Sequence, residues 1–135
     1  MAKKINSRNK GADGEREIAN ILRDEYGFDT RRGQQFCGSN GDADVVGLPG
    51  IHLEVKRVEA LNMDLAYEQA CNDAKEDEMP TVVHRKNHKH WKVTLSLEDF
   101  MKLYQAYTDS QEVPLGERTD KCVSRRVIRE PIKND

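Results

Sequence analysis

The feature that most constrains the fold is a spacing. Asp44 sits in the short run Ala43-Asp44-Val45-Val46, and Glu54-Val55-Lys56 follows after residues 45–53. Between them Gly47-Leu48-Pro49-Gly50 has the composition of a tight turn, with glycine for positive φ and proline for a fixed bend. The two flanking runs therefore read as strands of one hairpin. Side chains alternate faces along a strand, so Glu54 and Lys56 emerge on one side, and the hairpin brings Asp44 to them. Carboxylates beside an ammonium make a hard, oxygen-rich site suited to Mg²⁺ and to phosphodiester hydrolysis. The spacing points to a metal-dependent nuclease.

A chain of 135 residues holds one modest core and not comfortably two. No apolar run approaches the length of a membrane span, and Met1-Ala2-Lys3-Lys4 leads straight into polar sequence without a signal-peptide core, so an intracellular (cytoplasmic) protein is expected. Cys37, Cys71 and Cys122 are odd in number and widely spaced, which fits neither a disulfide framework nor a zinc site. The net charge of −2 does not advertise a nucleic-acid binder, but its distribution is uneven. Acid gathers from Asp73 to Glu78. Base gathers in Arg31-Arg32, in Lys56-Arg57, from Arg85 to Lys92 and from Arg118 to Arg129. Charge alone fits an ordinary solvated surface as well as a phosphate-binding one.

Along the chain, residues 1–12 form a basic arm. A first helix is predicted from about Asp13, as N-cap, to Tyr26, with Gly27 ending it. Ile18, Ile21 and Leu22 make its apolar stripe; Glu15 falls on that stripe and Glu17 on its margin. A carboxylate there needs either a buried partner or a cation-holding cleft. Strands are predicted at Phe28–Arg32, Ala43–Val46 and Ile51–Val58, with a glycine- and amide-rich loop at 33–41. A second helix spans about Asn62–Asp77, closed by Pro80. Thr81–His84 and His90–Leu95 form a strand pair around the basic turn 85–89. Ser96 then caps a third helix, with Asp99 completing a capping box. The predicted order is α-β-β-β-α-β-β-α, with a mixed sheet because the second helix serves as a crossover. Residues 13–108 are read as the functional domain and 109–135 as a C-terminal extension.

Glu-x-Lys by itself is a common tripeptide in so charged a chain, and its context is what gives it meaning. Gly14-Glu15-Arg16-Glu17-Ile18 on a helix, Gly27-Phe28 with Arg31-Arg32 after it, Gly38-Ser39, Ala43-Asp44-Val45-Val46 and Leu53-Glu54-Val55-Lys56 occur in that order. Together they resemble the PD-(D/E)xK nuclease superfamily, most closely archaeal-type Holliday junction resolvases and their phage relatives, over residues 10 to 107. The resemblance implies an α/β fold with a restriction-endonuclease-like αβββαβ core, its mixed central sheet flanked by helices. It also implies a homodimer that cleaves branched DNA. Residue by residue, Glu15, Asp44 and Glu54 match the metal-binding acids and Lys56 the catalytic lysine. Ser39 falls where an active-site serine is frequent, and Gln69 resembles the glutamine of the following helix. Ala43 replaces the motif proline. Asp42 competes with Asp44 for the first acid, and Asp44 is preferred because two β-branched residues follow it into the core.

The chemistry expected on this reading places Mg²⁺ (with Mn²⁺ as a substitute) on Asp44, Glu54 and the Val55 carbonyl, with Glu15 completing the cage. Lys56 orients the attacking water or stabilises the phosphorane charge, aided by Gln69 and Ser39. Other PD-(D/E)xK activities, restriction-like or flap-cutting, use the same residues. A non-catalytic DNA-binding protein of the same fold is the alternative from another class. His84, His88 and His90 lack a fourth ligand and do not make a metal site. The turn around them suits phosphate contact or a plain solvated bend. His52 shares the strand face of Glu54 and either borders the site or is merely exposed.

Overall fold

The computed structural model describes residues 7–34 and 43–111. Eight elements follow in the predicted order: α1 (Ser7–Asp24), β1 (Arg31–Arg32), β2 (Val45–Val46), β3 (Ile51–Arg57), α2 (Met63–Asp73), β4 (Met79–Arg85), β5 (Lys92–Thr94) and α3 (Leu97–Ser110). The five strands form one sheet in sequence order. β1–β2, β2–β3 and β4–β5 are antiparallel, whereas β3–β4 is parallel over seven residues, with α2 as the crossover. The fold is thus a mixed α/β sheet with helices, as expected. Among the described residues, those from Leu97 onward belong to a second compact unit. Within it, Lys102 pairs with Glu98 at 3.6 Å and Asp99 at 3.8 Å. No helix among the described residues is long and apolar enough to cross a membrane.

β3 owes its central place to its composition. Leu53 and Val55 point to one face, where they join Val45, Val83 and the α1 residues Ile18 and Ala19 in a buried cluster. On the opposite face Val82 packs beneath Ala66 and Ala70 of α2. Those two alanines are small enough to let α2 lie close to the sheet. Adjacent residues Val82 and Val83 serve the two cores separately, which is the period-two logic of a strand covered on both sides.

Several boundaries differ from the sequence expectation. α1 starts at Ser7, not Asp13, so the basic arm is helical from residue 7. Asp13 lies within the helix, where it pairs with Arg16 at 3.1 Å across one turn, so a residue type that suits a cap here serves an i,i+3 pair. Gly14 lies inside α1 for a packing reason. A Cβ there would stand 3.3 Å from Arg57 Cβ, so the helix crosses β3 closely at that point. Pro80 does not close α2. The helix ends at Asp73, and Pro80 is the second residue of β4, near the start where a strand tolerates it. Asn62 caps α2, its Oδ1 accepting from Leu65 N–H at 3.1 Å. The predicted turn at 47–50 joins β2 to β3, with Gly47 at φ 117° and Gly50 at φ 86°.

Candidate active site

The β2–β3 hairpin places Asp44 against the centre of β3. The Asp44 N–H donates to the Leu53 carbonyl at 3.0 Å, while Asp44 Oδ2 accepts from the Val55 N–H at 2.8 Å. A side-chain oxygen thereby takes the place of a backbone acceptor at the entry to β2. Asp44 is 9% exposed and Glu54 4%. The Asp44 carboxyl is pushed up to about 7, by burial first and then by the charge of Glu54. The Val55 N–H acts against that rise, while the charge of Glu15 and a hydrogen bond shared with the Glu54 side chain add to it. Asp44 and Glu54 therefore stand together as two buried acids in contact, and the Glu54 charge helps hold the Asp44 carboxyl above its ordinary value.

Glu15 reaches this neighbourhood from α1. Its Oε2 accepts from Arg32 Nε at 2.9 Å, with the carboxylate mostly shielded. Of the two explanations for an acid on the helix stripe, the structure shows the partner, Arg32, and the Glu15 charge also reaches Asp44. Lys56 lies on the same face of β3 as Glu54, and its Nζ donates to Gln69 Oε1 of α2 at 3.3 Å. Asp44 and Glu54 are in contact, and Gln69, which the resemblance singled out, meets Lys56. The Val55 backbone is tied to Asp44 through its N–H. Ser39 and the competing Asp42 lie outside the described residues, as do Cys37 and Cys122.

His52 is deeply buried at 2% exposure, so the exposed reading of it does not hold. Its Nε2 lies 3.1 Å from Glu54 Oε1 and its Nδ1 3.9 Å from Glu78 Oε1. Burial works against protonating this imidazole, but Glu54, Glu78 and Asp73 outweigh it and hold its pKa above the ordinary value. One ligand atom each from His52, Glu54 and Asp73 lies within 4.8 Å of the others. Sequence reasoning missed Asp73. The signal lay in the helical period, because Asp73 follows Gln69 by four residues on α2.

The far edge of the same face is basic. Lys56 pairs in register with His84, and His84 with Lys92, so the three side chains form a row across β3, β4 and β5. His84 Nε2 is bonded to Thr94 Oγ1 at 2.9 Å, and burial together with the charge of Lys92 holds its pKa down. It is not part of a histidine metal site. His88 adopts φ 60° in the β4–β5 turn. On the α1 side, Glu17 accepts from Trp91 Nε1 at 2.9 Å and from Arg85 at 3.0 Å, and the Arg85 guanidinium lies 5.1 Å from the Trp91 ring centre. Arg85 is thus a structural clamp between α1 and β4.

Comparison with curated proteins and with solved structures found no match. A family model described as "Phage putative PDDEXK endonuclease" matches residues 6–128, nearly the whole chain. With the acid pair, the lysine and the mixed sheet in place, the chain belongs to this phage family of PD-(D/E)xK endonucleases.

Proposed function

We propose that the protein is a Mg²⁺-dependent DNA endonuclease, and that it acts as a homodimer to resolve four-way junctions. The observation that carries the nuclease reading is the convergence of Asp44, Glu54 and Lys56 through one hairpin, with Gln69 on Lys56. Support for junctions comes from the order and spacing of the motifs, which resemble those of junction resolvases. A C2 dimer sets two sites about a two-fold axis, which suits a four-way junction.

The donor set fits a divalent cation. Two buried acids in contact, with the Glu15 charge beside them, offer oxygen donors that suit Mg²⁺. Asp44, Glu54 and the Val55 carbonyl would hold it, with Glu15 completing the set. Bound there, it supplies charge at the scissile phosphate and acidifies water. Arg32 holds the Glu15 carboxylate in place. Lys56, steadied by Gln69, presents its ammonium to the phosphate oxygens as negative charge grows on them, and orients the attacking water. Lys92, in line with Lys56 two strands away, meets a neighbouring phosphate.

The decisive experiment is cleavage of a labelled synthetic four-way junction in Mg²⁺, with linear duplex, flap substrate, Glu54→Ala and Lys56→Ala alongside. Paired symmetric nicks confined to the junction, and lost in both variants, are the expected result. Equal cleavage of every substrate removes the resolvase assignment and keeps the nuclease. No cleavage in Mg²⁺ or Mn²⁺ leaves a DNA-binding role.

A further inference from the structure

The parallel strands β3 and β4 end on two arginines that stand in register, Arg57 beside Arg85. Both lie on the α1 face of the sheet, opposite to Lys56. A Cβ on Gly14 of α1 would stand 3.3 Å from Arg57 Cβ and 3.7 Å from Trp91 Cη2, so helix, arginine and indole converge there. We propose that Arg57 anchors a phosphate site of its own, which takes a phosphodiester of the DNA backbone on the face of β3 opposite to Lys56. The proposal rests on reading the protein as a DNA endonuclease.

Three observations carry this. The first is an unmet donor. Among the described residues, three buried polar side-chain atoms have no hydrogen-bond partner: Arg57 Nε, Arg85 Nε and, in the turn just beyond, Asn87 Oδ1. Two of them are donors of this arginine pair, and a buried donor without an acceptor costs free energy. The second is a count of charge. Glu17 gives Oε1 to Trp91 and Oε2 to Arg85, so both of its oxygens are engaged. Arg57 acts on Glu17 by its charge, yet among the described residues it forms no ion pair and no side-chain hydrogen bond. Lys10, one turn before Gly14 on the same face of α1, adds positive charge. The third is access. The Arg85 side chain is 11% exposed and already held by Glu17, whereas Arg57 is half-buried and unpaired, and it is the one an incoming anion can meet.

The donor decides the ligand. A guanidinium presents N–H groups in a fixed fork that matches two oxygens of one anion, and partial desolvation strengthens the match. A phosphodiester brings two such oxygens and a single charge to a single unpaired guanidinium. Lys56 and Arg57 are consecutive, so their side chains leave β3 on opposite faces. A DNA backbone crossing the end of this strand meets Lys56 at the scissile phosphate and Arg57 at another. Arg57 is thus a positioning residue, whose grip fixes the phosphate that falls to Lys56.

The test is binding of a labelled four-way junction and of a linear duplex to the full-length protein in chelator, from low to high salt. Arg57→Gln should weaken both complexes about tenfold and lower the slope of log affinity against log salt by about 1. Arg57→Lys keeps the charge and loses the fork, so it should restore the slope and only part of the affinity. A packing role would not follow charge in this way. Trp91 is the one tryptophan of the chain, so its emission reports on this site, and the change that DNA produces in the wild type should be lost in Arg57→Gln. Should Arg57→Gln fail to fold, Arg57→Lys alone decides, by lost affinity at an unchanged slope. Wild-type affinity and slope in Arg57→Gln overturn the proposal. So does a slope that stays low in Arg57→Lys, or binding that requires a 5′-phosphate on the DNA end, which would mark a terminal monoester. Glu54-dependent cleavage with binding indifferent to Arg57 sinks this site and keeps the nuclease. Arg57-dependent binding without cleavage in Mg²⁺ or Mn²⁺ overturns the nuclease reading and leaves this site standing.

Discussion

The Val55 N–H donates to Asp44 Oδ2 at 2.8 Å, so a carboxylate of the candidate active site is also part of the scaffold that holds β2 to β3. One group thus serves both stability and chemistry, and the two make opposite demands on its proton. With the folded pKa raised from 3.8 to about 7, the native state holds a proton that the unfolded chain has lost over that interval. Stability of the metal-free protein should therefore fall as pH rises from about 4 to 7. His52, also shifted upward, extends the loss above its unfolded value of 6.5. Asp44→Asn should flatten the lower part of this slope and raise the stability at pH 8 without metal by an amount of the order of a few kcal/mol, seen as a higher melting temperature. Thermal denaturation of both proteins from pH 5 to 8 in chelator checks it; parallel curves would refute it.

Glu17 should show the reverse dependence. Burial pushes its carboxyl up, but the hydrogen bonds from Trp91 and Arg85 and the charges of Arg85 and Arg57 outweigh that and lower its pKa below 4.5. Its contribution is present above that value and is lost as pH falls through the folded pKa. Glu17→Gln keeps an acceptor for Trp91 and removes the charge. It should cost about 1 kcal/mol at neutral pH, discounted because the carboxylate is partly solvated, and less at pH 3. Urea titrations at the two pH values separate these outcomes.

If the row Lys56–His84–Lys92 follows the DNA backbone, Lys92→Ala should weaken binding to every sequence alike. The slope of log affinity against log salt should fall by about 1, with turnover at saturating DNA unchanged. Binding titrations from low to high salt read this directly. An unchanged slope would remove Lys92 from the interface.

Gly47 is fixed by two independent constraints. Its φ of 117° lies where side chains are strained, and an added Cβ would run into the backbone of Asp29 and Thr30. Gly47→Ala should cost at least about 1–3 kcal/mol, and it should loosen the hairpin that sets Asp44 beside Glu54. Chemical denaturation gives the first effect. Weakened binding of the divalent cation gives the second.

The site is legible in the sequence to the extent that it is local. Gly47 to Gly50, flanked by strand-forming runs, fixes the hairpin, and strand alternation then aligns Glu54 with Lys56. Element order and the parallel β3–β4 pair follow from the crossover helix. The start of α1 is not legible, because Asp13 suits a helix surface pair with Arg16 as well as it suits a cap. The burial of His52 is also hidden. Its place at the start of β3 says nothing of Glu78, which reaches it only because the parallel pairing carries Met79 alongside Ile51. Asp73 and the Glu17–Arg85–Trp91 clamp likewise join residues that only the tertiary fold brings near.

The different connections on the two sides of β3 divide the site in time as well as in space. A four-residue turn joins Asp44's strand to Glu54's, and such a hairpin closes within microseconds. Gln69 and Asp73 sit inside the connection at residues 58–78, which must be ordered before the β4 partners pair, at greater entropic expense. The acids therefore meet before the helix that steadies the lysine has docked. Openings that detach α2 transiently would leave the acid pair assembled while Lys56 swings free, and hydrogen exchange would find β2–β3 protected when α2 is not.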